Sequence, residues 1–243
     1  MRVPPLRQHH LFKGLTMIQL SPALRCFVLV LGLSVSACAA GPAPRVLYKD
    51  ATTVVQVQHD AHAQSGNSHP ATLSVQTIKQ VLTGLRVQRR GDIVLSLLTG
   101  EEEAVPAFSN GEIDDLAPRI GQALANATPT ELVGFYRRVS DSGLGLGVTS
   151  GGALVRDGLL YVVLANHRSR FSDAMREGLS YEVDPVRDPL LSLRSRAFKL
   201  SFVTDRAVAH PVKPWDYIDS GKVVALDIQT LTSLFETAPP SHR

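Results

Sequence analysis

The sequence predicts an α+β protein: a mostly antiparallel sheet, two helices packed on one face, and a short C-terminal helix. Three observations carry this. Two stretches with apolar residues at helical spacing lie early, at Leu73–Val87 and Ile113–Leu124. After residue 130 the chain turns β-rich, with an Asp157-Gly158 hairpin signal between two apolar runs. Helices cluster early and strands late, which argues against a doubly wound parallel sheet.

Thr52–Gln58 alternates and is β-branched, so it reads as a strand. The polar run His59–Pro70 reads as a loop. Leu73, Ile78, Val81, Leu82 and Leu85 predict a helix over about 74–84, with Ser74 or Thr72 available as cap. Asp92–Leu98 fits either a short strand or a helical turn. Gly100–Glu103 reads as an exposed acidic loop. Ser109-Asn-Gly-Glu112 forms a capping box, in which the serine accepts from the third helical N–H and the glutamate reaches back. It opens a helix over about 110–126 whose apolar stripe is Ile113, Leu116, Ile120, Ala123 and Leu124. Pro118 falls inside this pattern, which predicts a kink or a split first turn.

Glu131–Val139 predicts a strand, and Gly143–Ser150 a second. Gly152–Arg156 and Leu159–Asn166 flank Asp157-Gly158, where both positions tolerate the positive φ of a type I′ turn. Ser180–Val183 reads as a short strand or bridge. Asp184-Pro-Val-Arg-Asp-Pro189 breaks regular structure twice. Arg196–Thr204 alternates, with Phe198, Leu200 and Phe202 opposite Ala197, Lys199 and Ser201. Lys222–Ile228 predicts a strand and Asp227–Glu236 a final short helix over Leu231, Leu234 and Phe235. No internal repeat or low-complexity tract occurs in the 243 residues.

The N-terminal segment carries the strongest signal. Arg25 supplies positive charge. Cys26–Val35 is an apolar run of about ten residues, too short to span a bilayer. Small Ser36 and Ala37 precede Cys38. Val35-Ser36-Ala37-Cys38 resembles the lipobox of bacterial lipoproteins, with Val35 where leucine is usual. The resemblance covers only residues 17–38. It implies cleavage between Ala37 and Cys38, diacylglycerol on the Cys38 thiol and acylation of the new amine. Ala39, Ala40 and Gly41 follow, with no Asp beside the cysteine, which resembles outer-membrane sorting with a periplasm-facing domain. Met17 gives the conventional charged start for such a signal. The expected organisation is a signal peptide over 1–37, a lipid-anchored spacer over 38–46 and one α+β domain over 47–238.

Removing the signal changes the charge. The chain has 25 lysines and arginines against 22 acids. Residues 1–37 hold four of the cations (Arg2, Arg7, Lys13, Arg25) and no acid, so the remainder is about neutral. Nucleic-acid binding loses its electrostatic driver. The pairs Arg89-Arg90 and Arg137-Arg138 read as solvated faces. The two cysteines, Cys26 and Cys38, both belong to the signal and anchor. The folded part therefore has no disulfide, thiolate nucleophile or Cys-ligated zinc. About 205 residues are enough to bury one adequate core.

Candidate sites are few. His59, His62 and His69 are the weak metal candidates, on a loop that lacks the helical HExxH arrangement. His167, Arg168 and Arg170 at a strand end, close to Asp173, Arg176 and Glu177, could grip an acid, phosphate or sugar. Trp215, with Tyr217 beside Pro211 and Pro214, offers either a ligand platform or a plug at a sheet end. Gly147-Val-Thr-Ser150-Gly-Gly superficially resembles the nucleophile loop of trypsin-like proteases, but Thr149 replaces the acid before serine. It reads as a glycine-rich strand end. No G-x-S-x-G elbow, P-loop or G-x-G-x-x-G occurs. The expectation is a lipid-anchored envelope protein, with a non-catalytic binding or assembly role, an envelope protein as partner, and no cofactor. The alternatives are a metal-dependent hydrolase using His59, His62 and His69, and a small-ligand carrier.

Overall fold

The computed structural model describes residues 42–63, 66–90, 103–141, 145–170, 172, 184–194, 198–209 and 218–236. Cys38 and the rest of the leader, residues 92–98, Ser180–Val183 and Trp215 with Tyr217 lie outside the described residues.

Six strands form the main sheet: β1 (Arg45–Lys49), β2 (Thr53–His59), β5 (Glu131–Asp141), β6 (Gly145–Arg156), β7 (Leu159–Ser169) and β9 (Val223–Asp227), in the spatial order β1-β2-β5-β6-β7-β9. Every pair is antiparallel. A smaller antiparallel sheet has the order β4-β3-β8, from β4 (Val105–Pro106), β3 (Leu85–Arg89) and β8 (Phe198–Phe202). The helices are α1 (Val75–Gly84), α2 (Asn110–Asn126) and α3 (Ile228–Glu236). Among the described residues no helix is long and apolar enough to cross a membrane.

One core lies between the helices and the inner face of the main sheet. It joins Val55, Val57, Val133, Phe135, Ala153, Val155, Val162 and Leu164 of the sheet to Ile78, Val81 and Leu82 of α1, Leu116, Ile120 and Leu124 of α2, and Leu231 of α3. Leu85, Val87, Phe198, Leu200 and Phe202 of the small sheet complete it. The α+β arrangement expected from the sequence is the arrangement observed.

Local rules explain most boundaries. Ser74 Oγ accepts from Thr77 N at 2.9 Å and caps α1. The Ser109–Glu112 capping box is complete, and α2 starts at Asn110. Pro118 does not end or split α2, which runs unbroken from Asn110 to Asn126. Its ring is on the exposed face while Leu116, Ala117, Ile120 and Gly121 beside it are buried, so packing outweighs one lost ladder bond. Asp157 and Gly158 adopt φ of 51° and 75°, as a type I′ turn requires.

Three differences are instructive. Leu85 follows the helical spacing, yet it opens β3, because Leu85 and Val87 are buried while Arg86 and Gln88 are not. Gly143–Ser150 and Gly152–Arg156 were expected as two strands, but Gly145–Arg156 is one, since Gly151 and Gly152 stay in register with β5. The spacer expected to reach residue 46 gives way to β1 at Arg45, which pairs with Val57.

The outer face of the main sheet is covered by the chain's own residues 184–194. Four buried side chains hold this strap by its backbone. Gln56 donates to the Arg187 carbonyl at 3.0 Å, Ser150 to Pro189 at 2.8 Å and Asn166 to Leu191 at 2.7 Å. Lys222 donates to the Arg194 carbonyl at 2.7 Å, to Ser192 Oγ at 2.5 Å and to the Ala165 carbonyl at 2.9 Å. Asn166 Oδ1 accepts from Leu193 N at 2.7 Å. Leu190 packs with Leu132, Leu154 and Val163, and Leu193 with Val54, Tyr136 and Val148.

Candidate functional site

Two irregularities in β7 create the most unusual local geometry of the described residues. Its register against β6 shifts between Ser150 and Gly151 and again between Val148 and Ser150. Such bulges re-aim side chains and are common near binding sites. Arg168, at the second, has φ of 50°, a conformation a non-glycine residue adopts only at a cost of about 1 kcal/mol or more. Its amide donates to Thr149 Oγ1 at 3.3 Å.

Arg168 is thereby brought to the first turn of α2, where its guanidinium lies 3.6 Å from Glu112. Glu112 is buried and also accepts from Ser109 N at 2.7 Å and Ser109 Oγ at 2.8 Å. Arg137 of β5 stands on its other side, 4.0 Å away. Arg137 also pairs with Asp115, one turn along α2, and donates to Thr53 Oγ1 at 2.9 Å. Thr53 in turn donates to Asp115 at 3.1 Å. Arg119 pairs with Asp115 and lies 3.7 Å above the Tyr48 ring. The Tyr48 hydroxyl donates to Asp50 at 2.6 Å; this bond holds the Asp50 carboxyl well below its usual range and raises the Tyr48 phenol.

His167 stands beside this network, edge-on to Phe198 at 6.0 Å. Its Nε2 is buried and has no hydrogen-bond partner among the described residues. Burial, then the neighbouring Arg168, pushes the imidazole down to about 4, so it is neutral at pH 7.

The cluster thus sets three guanidiniums against two carboxylates on α2, in a half-buried setting where ion pairs outweigh surface ones. Arg168 is its member most open to solvent. The cluster's hydroxyls, Ser109 on Glu112 and Thr53 on Asp115, serve as a helix cap and a network bridge, while Ser150 lies on the opposite face, bonded to the strap.

The sequence candidates meet different fates. His167 and Arg168 belong to this cluster, and Arg170 follows one residue beyond β7. The remaining ligand candidate, Trp215, lies outside the described residues. Arg137 corrects an expectation: it is not a solvated residue but is engaged by Glu112, Asp115 and Thr53. Its place in sequence, two after Phe135 and four after Val133, puts it on the inner face. Glu112 was legible only as a cap. His59 and His62 are exposed, whereas His69 is buried and its Nε2 accepts from Val155 N at 3.4 Å. Among the described residues no group of three His, Cys, Asp or Glu could hold a metal ion. The His59–Pro70 loop is instead organised by buried Asp60 and Asn67, both bonded to Arg156.

No protein-family profile matches the chain, no curated protein matches it, and no solved structure matches it.

Proposed function

We propose that the protein is a lipoprotein of the cell envelope, held by lipid on Cys38 in the outer membrane with its domain facing the periplasm, and that it binds or assembles with an envelope protein. The carrying observation is Val35-Ser36-Ala37-Cys38 after a ten-residue apolar run, followed by a chain with no further cysteine. An acyl CH₂ contributes about 0.8 kcal/mol on entering the membrane, and stable anchoring needs more than one chain; a triacylated Cys38 meets that need.

The fold supports a binding role. β1 starts at Arg45, so the tether spans at most about 25 Å. Arg45 lies at the end of the sheet that carries His59, Glu131 and the Asp157-Gly158 turn. The Glu112–Arg137–Arg168 cluster lies at the other end of the sheet. Paired charges of both signs, most open to solvent at Arg168, suit recognition of a charged surface.

Metabolic labelling with palmitate tests the anchor. The wild-type protein takes up label and fractionates with membranes; Cys38→Ser does neither. An intact mass that retains residues 17–37, or a mature N-terminus without acyl groups, overturns the reading.

A further inference from the structure

We propose that the outer face of the main sheet is a peptide groove, filled here by residues 184–194, and that it takes a turn-forming Pro-Leu-x-x-Leu segment of an envelope partner in their place. This names the partner class for the binding role proposed above and rests on that role.

The strap is recognised through its backbone. Gln56 on β2, Ser150 on β6, Asn166 on β7 and Lys222 just before β9 reach the carbonyls of residues 187, 189, 191 and 194 in spatial order across the sheet. These contacts read main chain, which the strap presents through two turns closed by Arg187 N and Asp188 N on the Asp184 carbonyl and by Leu191 N on the Asp188 carbonyl. Sequence is read only where the strap's side chains enter. Pro189 sits on Gly134 of β5, where a Cβ would lie 3.0 Å from its ring. Leu190 and Leu193 fill two separate apolar pockets. Arg187, Asp188 and Arg194 are exposed and carry no part of the fit. The pattern Pro189-Leu190-x-x-Leu193 is therefore the groove's preference, displayed by the occupant it already has.

A permanent core is cheaper to build from apolar residues, because each buried polar group must be desolvated and then satisfied. Gln56, Ser150, Asn166 and Lys222 are all buried under the strap. Uncovered, each would be satisfied by water, so the face tolerates losing its cover. Burial of Pro185, Val186, Pro189, Leu190 and Leu193 and a handful of hydrogen bonds are set against the ordering of eleven residues, so much of the gross hold on the strap is offset. A competing segment gains the same contacts.

A labelled synthetic peptide with the sequence of residues 184–194 is the probe, titrated into the full-length purified protein in detergent. Leu190→Ala in the protein weakens its own strap and should raise peptide affinity at least tenfold over wild type. Gln56→Ala added to that variant should lower it again. A Cβ at Gly134 lies 3.5 Å from Pro189 Cβ, within disulfide range, so Gly134→Cys with Pro189→Cys can lock the strap. The oxidised lock should abolish binding and reduction should restore it, which keeps the test decisive even if Leu190→Ala does not fold. Folded Leu190→Ala protein that fails to bind overturns the proposal, as does a locked form that binds like wild type. A disulfide that links two copies also overturns it, because the strap then exchanges between copies of this chain. Acylation of Cys38 is read separately by palmitate labelling, so failure of the groove and failure of the anchor give different results.

Discussion

At Arg168 an L-residue holds a left-handed backbone, and the energetic consequence is measurable. Glycine adopts φ near 50° without penalty, so Arg168→Gly trades one half-exposed ion pair, worth under about 1 kcal/mol, for relief of about the same amount. Its stability in urea should stay within about 0.5 kcal/mol of wild type. Arg168→Val adds a β-branch to the strained position and should lose about 2 kcal/mol. Equal losses in the two variants would show that backbone conformation does not govern this position. Arg137 behaves differently, because Glu112 and Asp115 both depend on it. Arg137→Ala should cost about 1–2 kcal/mol, read by the same denaturation, since it removes the cation shared by Glu112 and Asp115 and leaves each with its other partners, Arg168 and Arg119. Of this cluster, His167 and Arg168 were visible in sequence as neighbours at a strand end. Glu112 and Arg137 were not, because their meeting depends on how β5 and α2 pack, which no local pattern encodes.

Among elements, the most legible were those with their own local chemistry. The start of α2 follows from the Ser109–Glu112 box, and the β6–β7 turn from Asp157-Gly158. Phe198, Leu200 and Phe202 marked the buried side of β8 by strict alternation. Elements defined by a partner were hidden. β1 is a short edge strand beside prolines and exists through pairing with β2. The bulges of β7 have no sequence signal because they are properties of the β6–β7 pair. Gly151 shows the tightness of that pair: a Cβ there would stand 2.0 Å from the Val163 carbonyl and 3.0 Å from the Phe135 ring. Gly151→Ala should therefore lower stability by at least about 2 kcal/mol, or abolish soluble expression, whereas Gly158→Ala, with open space around it, should cost only about 1 kcal/mol of backbone strain. Thermal melts of the two variants provide the comparison.

For the molecule as a whole, acid is the informative perturbant. His69 and His167 sit at opposite ends of the sheet, and burial lowers the pKa of both. The unfolded chain binds protons at histidine near pH 6.5, but the folded chain resists them. Stability from this source is therefore full above pH 6.5 and declines as pH falls toward about 4. His167 alone should contribute about 2 kcal/mol to that decline, discounted for its partial exposure. His167→Leu should flatten the stability–pH curve between pH 6.5 and 4, and adding His69→Leu should flatten it further and additively. Asp50, whose pKa is lowered by Tyr48, gives a separate loss only below the ordinary carboxylate range, near pH 4. A curve unchanged by both histidine substitutions would assign acid sensitivity to the carboxylates instead.

One seam in the chain has a consequence for how the sequence can drift. Helix α1 ends at Gly84 and β3 begins at Leu85, with no residue between them. The Gly84 backbone lies so near the Phe202 ring that an added Cβ would come within 2.3 Å of it. A single inserted residue would find no slack to absorb it. It would rotate the following strand by half a turn, sending Leu85 and Val87 into water and Arg86 and Gln88 into the hydrocarbon interior. Descendants of this chain can exchange letters around that junction, but they cannot lengthen it.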